Sequence, residues 1–496
     1  MFYWEKLLNP KRIREKSSVV RANTDSRSPF KKDFDTICNS TILRRLQDKA
    51  QVFPLEEEDY ARSRLTHSIE VLSIAESLGL KAKEIIRKSE KSGYISDNTD
   101  PQKKEETLRW IDNIPTILMS AALLHDMGNP PFGHLGEQII NDWFDENLQH
   151  FQYSQDVQKY THCEHSPSSL KEILNGRLKD DLVHFDGNAQ LLRLITKLNL
   201  VVDDSGMNLS FPVIATIIKY PCSSSNIDKS ILSRKKAGYF MSEGSIFSDV
   251  MDTLGLFIND HYCRFPLAFL LEAADDIAYL TADIEDAHHK GIITISEIND
   301  CLKEYGRNDD LVKGVRKAIF EYQETAKKMK YPNVEDYVMH RLRVFIKGQM
   351  INAMSDSFEK AYDEIMHGEC EKELLDQSAA CTLAKCLRKI ETSRIHYCSR
   401  IVENKTKAIV VLNKLLNLYV PAVLNYDEDR DLQKDTKENL IYLSFSDNYR
   451  YICERANQGC SDTTMVIYNK LRLVVDQISG MTDTRAMTEY RKLSAT

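Results

Sequence analysis

The chain has 496 residues, 42% of them hydrophobic and 28% charged, with 66 Lys and Arg against 74 Asp and Glu for a net charge of -8. That hydrophobic share excludes a wholly disordered chain, and the length admits one large domain or two to four smaller ones. The acidic balance argues against a general nucleic-acid binder, while leaving room for a local basic pocket.

In chain order, the first residues, MFYWEKLLNPKRIREKSS, mix charge into their apolar positions and contain no apolar core of signal-peptide length. No later stretch reaches about 18 consecutive apolar residues, so no membrane span is expected. The 11 cysteines are scattered without a CxxC pair. Free thiols in a reducing cytoplasm are the expectation.

From Arg64, RLTHSIEVLSIAESLGLKAKEII spaces Leu65, Ile69, Leu72 and Leu78 at helical steps. IPTILMSAALLHD predicts a buried helix ending near Asp126, broken by Gly128, Pro130 and Pro131. GHLGEQIINDWFDENL predicts the next helix, and LAFLLEAADDIAYLTADIEDAHHK a long one stopped at Gly291. KAIVVLNKL fits either a helix or a strand. Polar stretches at 88–106, 221–238 and 425–439 read as exposed loops. No repeat of 20–50 residues is visible. The expectation is an all-α chain with few or no strands. A helical body covers 1–424, and a smaller C-terminal helical part, 425–496, packs on it.

Several titratable residues interrupt the apolar runs. His125 and Asp126 close the run ILMSAALL, where a buried carboxylate needs a partner and a metal ion supplies one. His67 lies in the amphipathic helix from Arg64. Asp275 and Asp276 interrupt AFLLEAADDIAYL, where adjacent acids are costly unless paired or metal-bound. Two His and two Asp form a mixed N/O set. It suits Mn, Fe, Ni, Co or Zn, and Mg with water in open positions. His134 and Glu137 stand at i, i+3, so their side chains are expected to meet, with the carboxylate raising the imidazole pKa. HCEH at 162–165 looks metal-like, but its polar setting favours a surface or capping role. His288 and His289 fit compensation of a helix dipole.

The order His67, His125-Asp126, Asp275 resembles the H…HD…D pattern of the HD-domain phosphohydrolases. The blocks RRLQDKAQVFPL, RSRLTHSIEV, HDMGNPPFGHLGE, HFDGNAQ, EAADDIAYLTADIEDA and ISGMTD resemble the bacterial deoxyguanosinetriphosphate triphosphohydrolases (dGTPases). The likeness runs from about residue 44 to 493. It implies an HD-type helical core over about 60–290 and metal-dependent hydrolysis of dGTP to deoxyguanosine and triphosphate. A broad dNTP triphosphohydrolase or another HD nucleotide phosphodiesterase is the alternative. A non-catalytic nucleotide-sensing or nucleic-acid-binding regulator is the rival class, disfavoured by the complete ligand set with His134.

By the same resemblance, His67, His125, Asp126 and Asp275 match the metal ligands. Asp275 is preferred over Asp276 because Asp275, Tyr279 and Asp283 share one helix face at i, i+4, i+8. His134, with Glu137, matches the proton-transfer position. Arg64, Lys219, Tyr220 and Lys236 match phosphate contacts. Gln51 and Asp283 match the pair that holds the 3′-hydroxyl, and Tyr279 the aromatic that leaves no room for a 2′-hydroxyl. Asn188 matches a pocket position, Gly187 beside it would allow close backbone approach, and His184 and Asp186 would share that wall. Mg²⁺ or Mn²⁺ is the implied working ion, and a homo-oligomer, often a hexamer, the implied assembly. Single-stranded DNA at a basic groove gains no support from the acidic charge. GMTDTRAM places Arg485 where relatives carry a tyrosine.

Overall fold

The computed structural model describes residues 1–14, 25–51, 62–88, 93–95, 101–149, 170–200, 206–395, 399–426 and 436–494. The helix bearing His67 spans Arg64–Arg87 and starts at a capping box, in which Ser63 accepts from the Thr66 amide and Thr66 accepts from that of Ser63. It packs most extensively on Ile114–Leu124, the buried apolar helix that delivers His125. Gly79 permits that approach, because a Cβ there would stand 2.8 Å from the Pro115 Cα. Pro266–His289, bearing Asp275, packs on both helices, and the 34-residue helix Val334–His367 covers it. Trp4 reaches the same layer and donates to the Tyr362 hydroxyl at 2.6 Å.

The only sheet among the described residues is the hairpin Phe257–Ile258 with His261–Tyr262, so the mostly helical reading holds. KAIVVLNKL lies inside the helix Ser399–Asn425. Within that helix, Ile401–Asn425 is long and apolar enough to cross a membrane by length and composition. Half of its most apolar stretch is buried, and it packs on Gly133–Asn147, Lys437–Leu443, Thr463–Ser479 and Asp483–Ser494.

Two expected loops are more ordered than their polarity suggested. Pro101–Ile111 is helical. In 221–238, Cys222, Ser223, Ser224 and Ser233 are buried, because acids on other segments satisfy the hydroxyls; Ser233 donates to Glu371 at 2.7 Å. In 425–439, a helix begins at Lys437, while 427–435 lie outside the described residues, as does the 162–165 stretch. The described cysteines form no disulfide.

The C-terminal helices join the main hydrophobic cluster, and a buried ionic network ties them down. Arg193 meets Asp476 at 2.7 Å and Glu243 at 3.0 Å, and Arg472 donates to Gln190 at 2.7 Å. Removing one partner of such a network leaves an uncompensated buried charge.

Substituting Gly79→Ala ordinarily favours a helix. Here the methyl meets backbone, so the variant is expected to lose about 1–3 kcal/mol of stability, as overpacked cores do. Denaturant titration checks this; an unchanged or raised midpoint would refute it.

Candidate active site

Three helix segments bring the expected metal ligands together. His67 faces inward and is fully buried. His125 follows the last turn of Ile114–Leu124, and its Nδ1 lies 2.7 Å from the Ala122 carbonyl. That contact assigns the proton to Nδ1 and leaves the buried Nε2 without a hydrogen-bond partner and free to ligate. The Asp275 Oδ1 stands 3.1 Å from His67 Nε2 and 3.4 Å from His125 Nε2. The Asp126 Oδ2 stands 3.7 Å from His125 Nε2. His67, His125 and Asp126 can present ligand atoms within 4.8 Å of one another. Donors at about 2.0–2.2 Å from one ion are spaced roughly 3 Å apart, so this set fits a single divalent ion. Its two imidazoles and two carboxylates suit a borderline transition metal or a hard ion with added water.

Cations flank the carboxylates. Arg64 Nη1 lies 2.8 Å from Asp126, and Lys219 Nζ 3.1 Å from Asp275. Asn129 donates to the second Asp126 oxygen at 2.6 Å. Burial would raise both acids, but Arg64 and the imidazoles overcome it at Asp126, and Lys219 and His125 at Asp275, so both stay below the usual carboxylate range. His125 is moved the opposite way: burial lowers it, and Asp126 and Asp275 outweigh that and raise it. Asp276, rotated away from the cluster, pairs with Arg388 at 3.1 Å, and burial pushes it up to about 6.

A cleft of about 380 Å³ opens over this cluster. Its wall includes Gln51, Arg64, His134, Glu137, Asn188, Lys219, Lys236 and Tyr279. His134 opens into the cleft and does not pair with Glu137, contrary to the i, i+3 expectation. The Glu137 carboxylate instead accepts from the Gly187 amide at 2.9 Å and lies 3.6 Å from Lys236 Nζ. The helix starts with Phe132 and Gly133 in left-handed conformations, with φ 63° and 58°, so its first turn is set by this corner and not by mutual side-chain reach. His134 is accordingly lowered, by the surrounding protein first and by Lys236 and Arg64 next, rather than raised by a carboxylate. Burial, with Asp186 nearby, pushes Glu137 up to about 7.

Lys236 is no free surface charge, since its Nζ lies 2.8 Å from Asp186. Asp186 also accepts from the amide and the side chain of Asn188, at 2.8 and 2.7 Å. Gly187 is required there, since a Cβ would fall 2.3 Å from Asn129 Oδ1. His184 is exposed and outside the cleft wall. Tyr220 is buried behind Lys219 and also outside the wall. Asp283 lies one turn beyond Tyr279, is 1% exposed and has no hydrogen-bond partner on either oxygen. Buried with Glu391 and Asp286 nearby, it is raised well above the usual carboxylate range. Gln51 Oε1 is buried without a partner as well.

Sequence reasoning did not find Ile401 and Lys405, which reach the cleft from the Ser399–Asn425 helix, because the apolar pattern there carries no motif. It also missed how ISGMTD acts. One oxygen of the buried Asp483 accepts from the Phe132 amide at 2.9 Å and the other from the Ala50 amide at 3.0 Å. Buried Lys49 donates to the Asn129 and Ser479 carbonyls at 2.6 and 3.0 Å. Burial lowers its ammonium to about 7. Arg485, the departure in that block, is a surface residue paired with Glu489 at 2.8 Å.

Residues 64–179 match the HD domain model, and residues 441–492 match the phosphohydrolase-associated domain. The chain is 38% identical to a deoxyguanosinetriphosphate triphosphohydrolase-like protein of Listeria innocua serovar 6a, over 99% of each chain. It is 39% identical to a protein of the same description from Listeria monocytogenes serovar 1/2a, again over 99% of each. The deoxyguanosinetriphosphate triphosphohydrolase of Yersinia enterocolitica shares 30% identity over 94% of each chain.

Asp126→Asn is expected to lose bound divalent metal together with activity, as read by metal analysis of the purified variant; full metal occupancy would refute the ligand assignment. Asp483→Ala orphans two half-buried amides, each worth about 1–3 kcal/mol at most. Its unfolding midpoint should fall and its turnover with it, and an unchanged midpoint would show the clamp to be idle.

Proposed function

The chain belongs to the deoxyguanosinetriphosphate triphosphohydrolase family of HD-domain hydrolases, and on that premise we propose that it hydrolyses dGTP to deoxyguanosine and inorganic triphosphate by water attack at the α-phosphate. The observation that carries this reading is the ion-spaced His/Asp cluster at the floor of a cleft whose wall holds Arg64, Lys219, Lys236 and His134. A triphosphate brings about four negative charges, and a cationic wall in an otherwise acidic protein is where such a ligand gains most.

His67, His125, Asp126 and Asp275 hold the ion, with Mg²⁺ or Mn²⁺ as the working species. Such an ion supplies charge neutralisation at the phosphate and a water of lowered pKa. Arg64, Lys219, Lys236 and Asn188 orient the phosphate chain, while Tyr220, outside the wall, does not reach it. With its pKa lowered by burial and Lys236, His134 is neutral at pH 7 and can accept the proton of the attacking water, then return it to the departing 5′-oxygen. Glu137 acts at one remove, holding Gly187 and Lys236 where the phosphates run.

At the other end, Gln51 and Asp283 take the 3′-hydroxyl, and their unpartnered buried oxygens are the acceptors available for it. Tyr279 closes the space beside C2′. The polypeptide works as a homo-oligomer, with the hexamer as the expected form.

Chromatography of the products from each dNTP and GTP, with Mg²⁺ or Mn²⁺, tests the reaction: intact triphosphate supports it, and pyrophosphate or monophosphate overturns it. Preference for dGTP over the other dNTPs in the same assay separates the dGTPase from a broad dNTP triphosphohydrolase. His134→Ala should retain metal while turnover drops roughly 10²-fold or more, the range of general acid–base contributions; near-normal turnover would exclude the role. Tyr279→Ala should relax discrimination against GTP, measured as the ratio of kcat/KM values, and an unchanged ratio would sink the steric role.

A further inference from the structure

The Tyr279 side chain is anchored at its far end by a residue that no motif marks. Its hydroxyl donates to Glu391 Oε1. Glu391 is 5% exposed and opens the five-residue π-helical turn Glu391–Ile395, which follows Cys381–Ile390 and packs against the helix of Tyr279. Single π turns of this kind displace a side chain from the regular helical ladder and recur at functional sites.

A tyrosine hydroxyl has one proton to give. Here it goes to Glu391. Asp283, one turn along the same helix, approaches the same hydroxyl closely enough to feel it, but neither of its buried oxygens reaches a hydrogen bond of normal geometry. The direction of that one hydrogen bond has two effects. The ring is pinned at both ends, by its helix and by Glu391, so it cannot swing out of the cleft wall. Asp283 is also left with open acceptors instead of being capped by its i-4 neighbour.

We propose that Glu391 is a specificity-determining positioning residue: by holding the Tyr279 hydroxyl it keeps the ring against the C2′ side of the sugar and keeps Asp283 open to the 3′-hydroxyl. This rests on the sugar-binding reading above and deepens it. Without the anchor, the ring gains room to move and its hydroxyl turns to Asp283. A 2′-hydroxyl is then tolerated and the 3′-hydroxyl loses its acceptor.

The test compares dGTP, GTP and 2′,3′-dideoxy-GTP as substrates of the full chain, with binding of the same nucleotides followed by calorimetry. Glu391→Ala should raise the GTP-to-dGTP ratio of kcat/KM by about tenfold and raise the dideoxy-GTP-to-dGTP ratio with it. Glu391→Gln keeps an acceptor for the tyrosine proton, so both ratios should stay near those of the unmodified protein. Tyr279→Phe removes the donor, so it should raise the GTP-to-dGTP ratio as alanine does but leave the dideoxy-GTP-to-dGTP ratio unchanged, since no hydroxyl remains to cap Asp283, and adding Glu391→Ala to it should change the ratios no further. GTP-to-dGTP ratios unmoved in both Glu391→Ala and Tyr279→Phe, or a glutamine variant that behaves as alanine, would overturn the proposal. Should Glu391→Ala fail to fold in a thermal melt, the glutamine and phenylalanine variants still decide. Absence of triphosphate release by the unmodified protein would overturn the reaction alone, and the binding ratios would still judge Glu391.

Discussion

A half-buried carboxylate between two imidazoles is the constraint around which this molecule is arranged. Asp275 lies in the middle of a long apolar helix, where an isolated charge would be prohibitively costly. It is tolerable there only because His67, His125 and Lys219 are delivered to it from three other segments. That requirement sets the mutual packing of the Arg64–Arg87, Ile114–Leu124 and Pro266–His289 helices. The same convergence provides ion-spaced donors. Structural necessity and chemistry therefore coincide, and neither explains the residue types alone.

The turn after Asp126 depends on a part of the chain far away in sequence. Asp483 holds the Phe132 and Ala50 amides, and Lys49 spans the Asn129 and Ser479 carbonyls. Two buried side chains with opposite hydrogen-bonding character thus close one corner of the cleft against the C-terminal helices. Gln51 follows Ala50, and His134 follows the turn that begins the next helix. The wall of the cleft and the surface that meets the C-terminal segment are one backbone. This gives the phosphohydrolase-associated region a physical connection to the site without contributing a side chain to the cluster.

Electrostatics in the cleft follow position rather than composition. The chain is acidic, yet Arg64, Lys219 and Lys236 concentrate positive charge over the ion-binding floor. The surrounding protein first, and Lys236 and Arg64 next, keep His134 below the ordinary imidazole range. Asp283 and Glu391 lie buried outside the cleft wall, and the Tyr279 hydroxyl from that wall donates to Glu391.

The helical class, the His67 helix, the break after Asp126 and the candidate His/Asp residues that interrupt the apolar runs were legible in the amino-acid order. Apolar periodicity and the cost of an unpaired buried acid are local properties, visible one segment at a time. The choice of Asp275 over Asp276 was legible for the same reason, since helical phase is fixed by residue spacing. The partner of Glu137 was not legible. Adjacency on a helix permits an i, i+3 contact, but the left-handed Phe132–Gly133 entry and the approach of Gly187 decide where that carboxylate finds its donor. Nor did any local pattern foretell Asp483, Lys405 or Glu391. Their meaning lies in which backbone amide, cleft or hydroxyl they meet across hundreds of residues, and only the packing of the helices determines that.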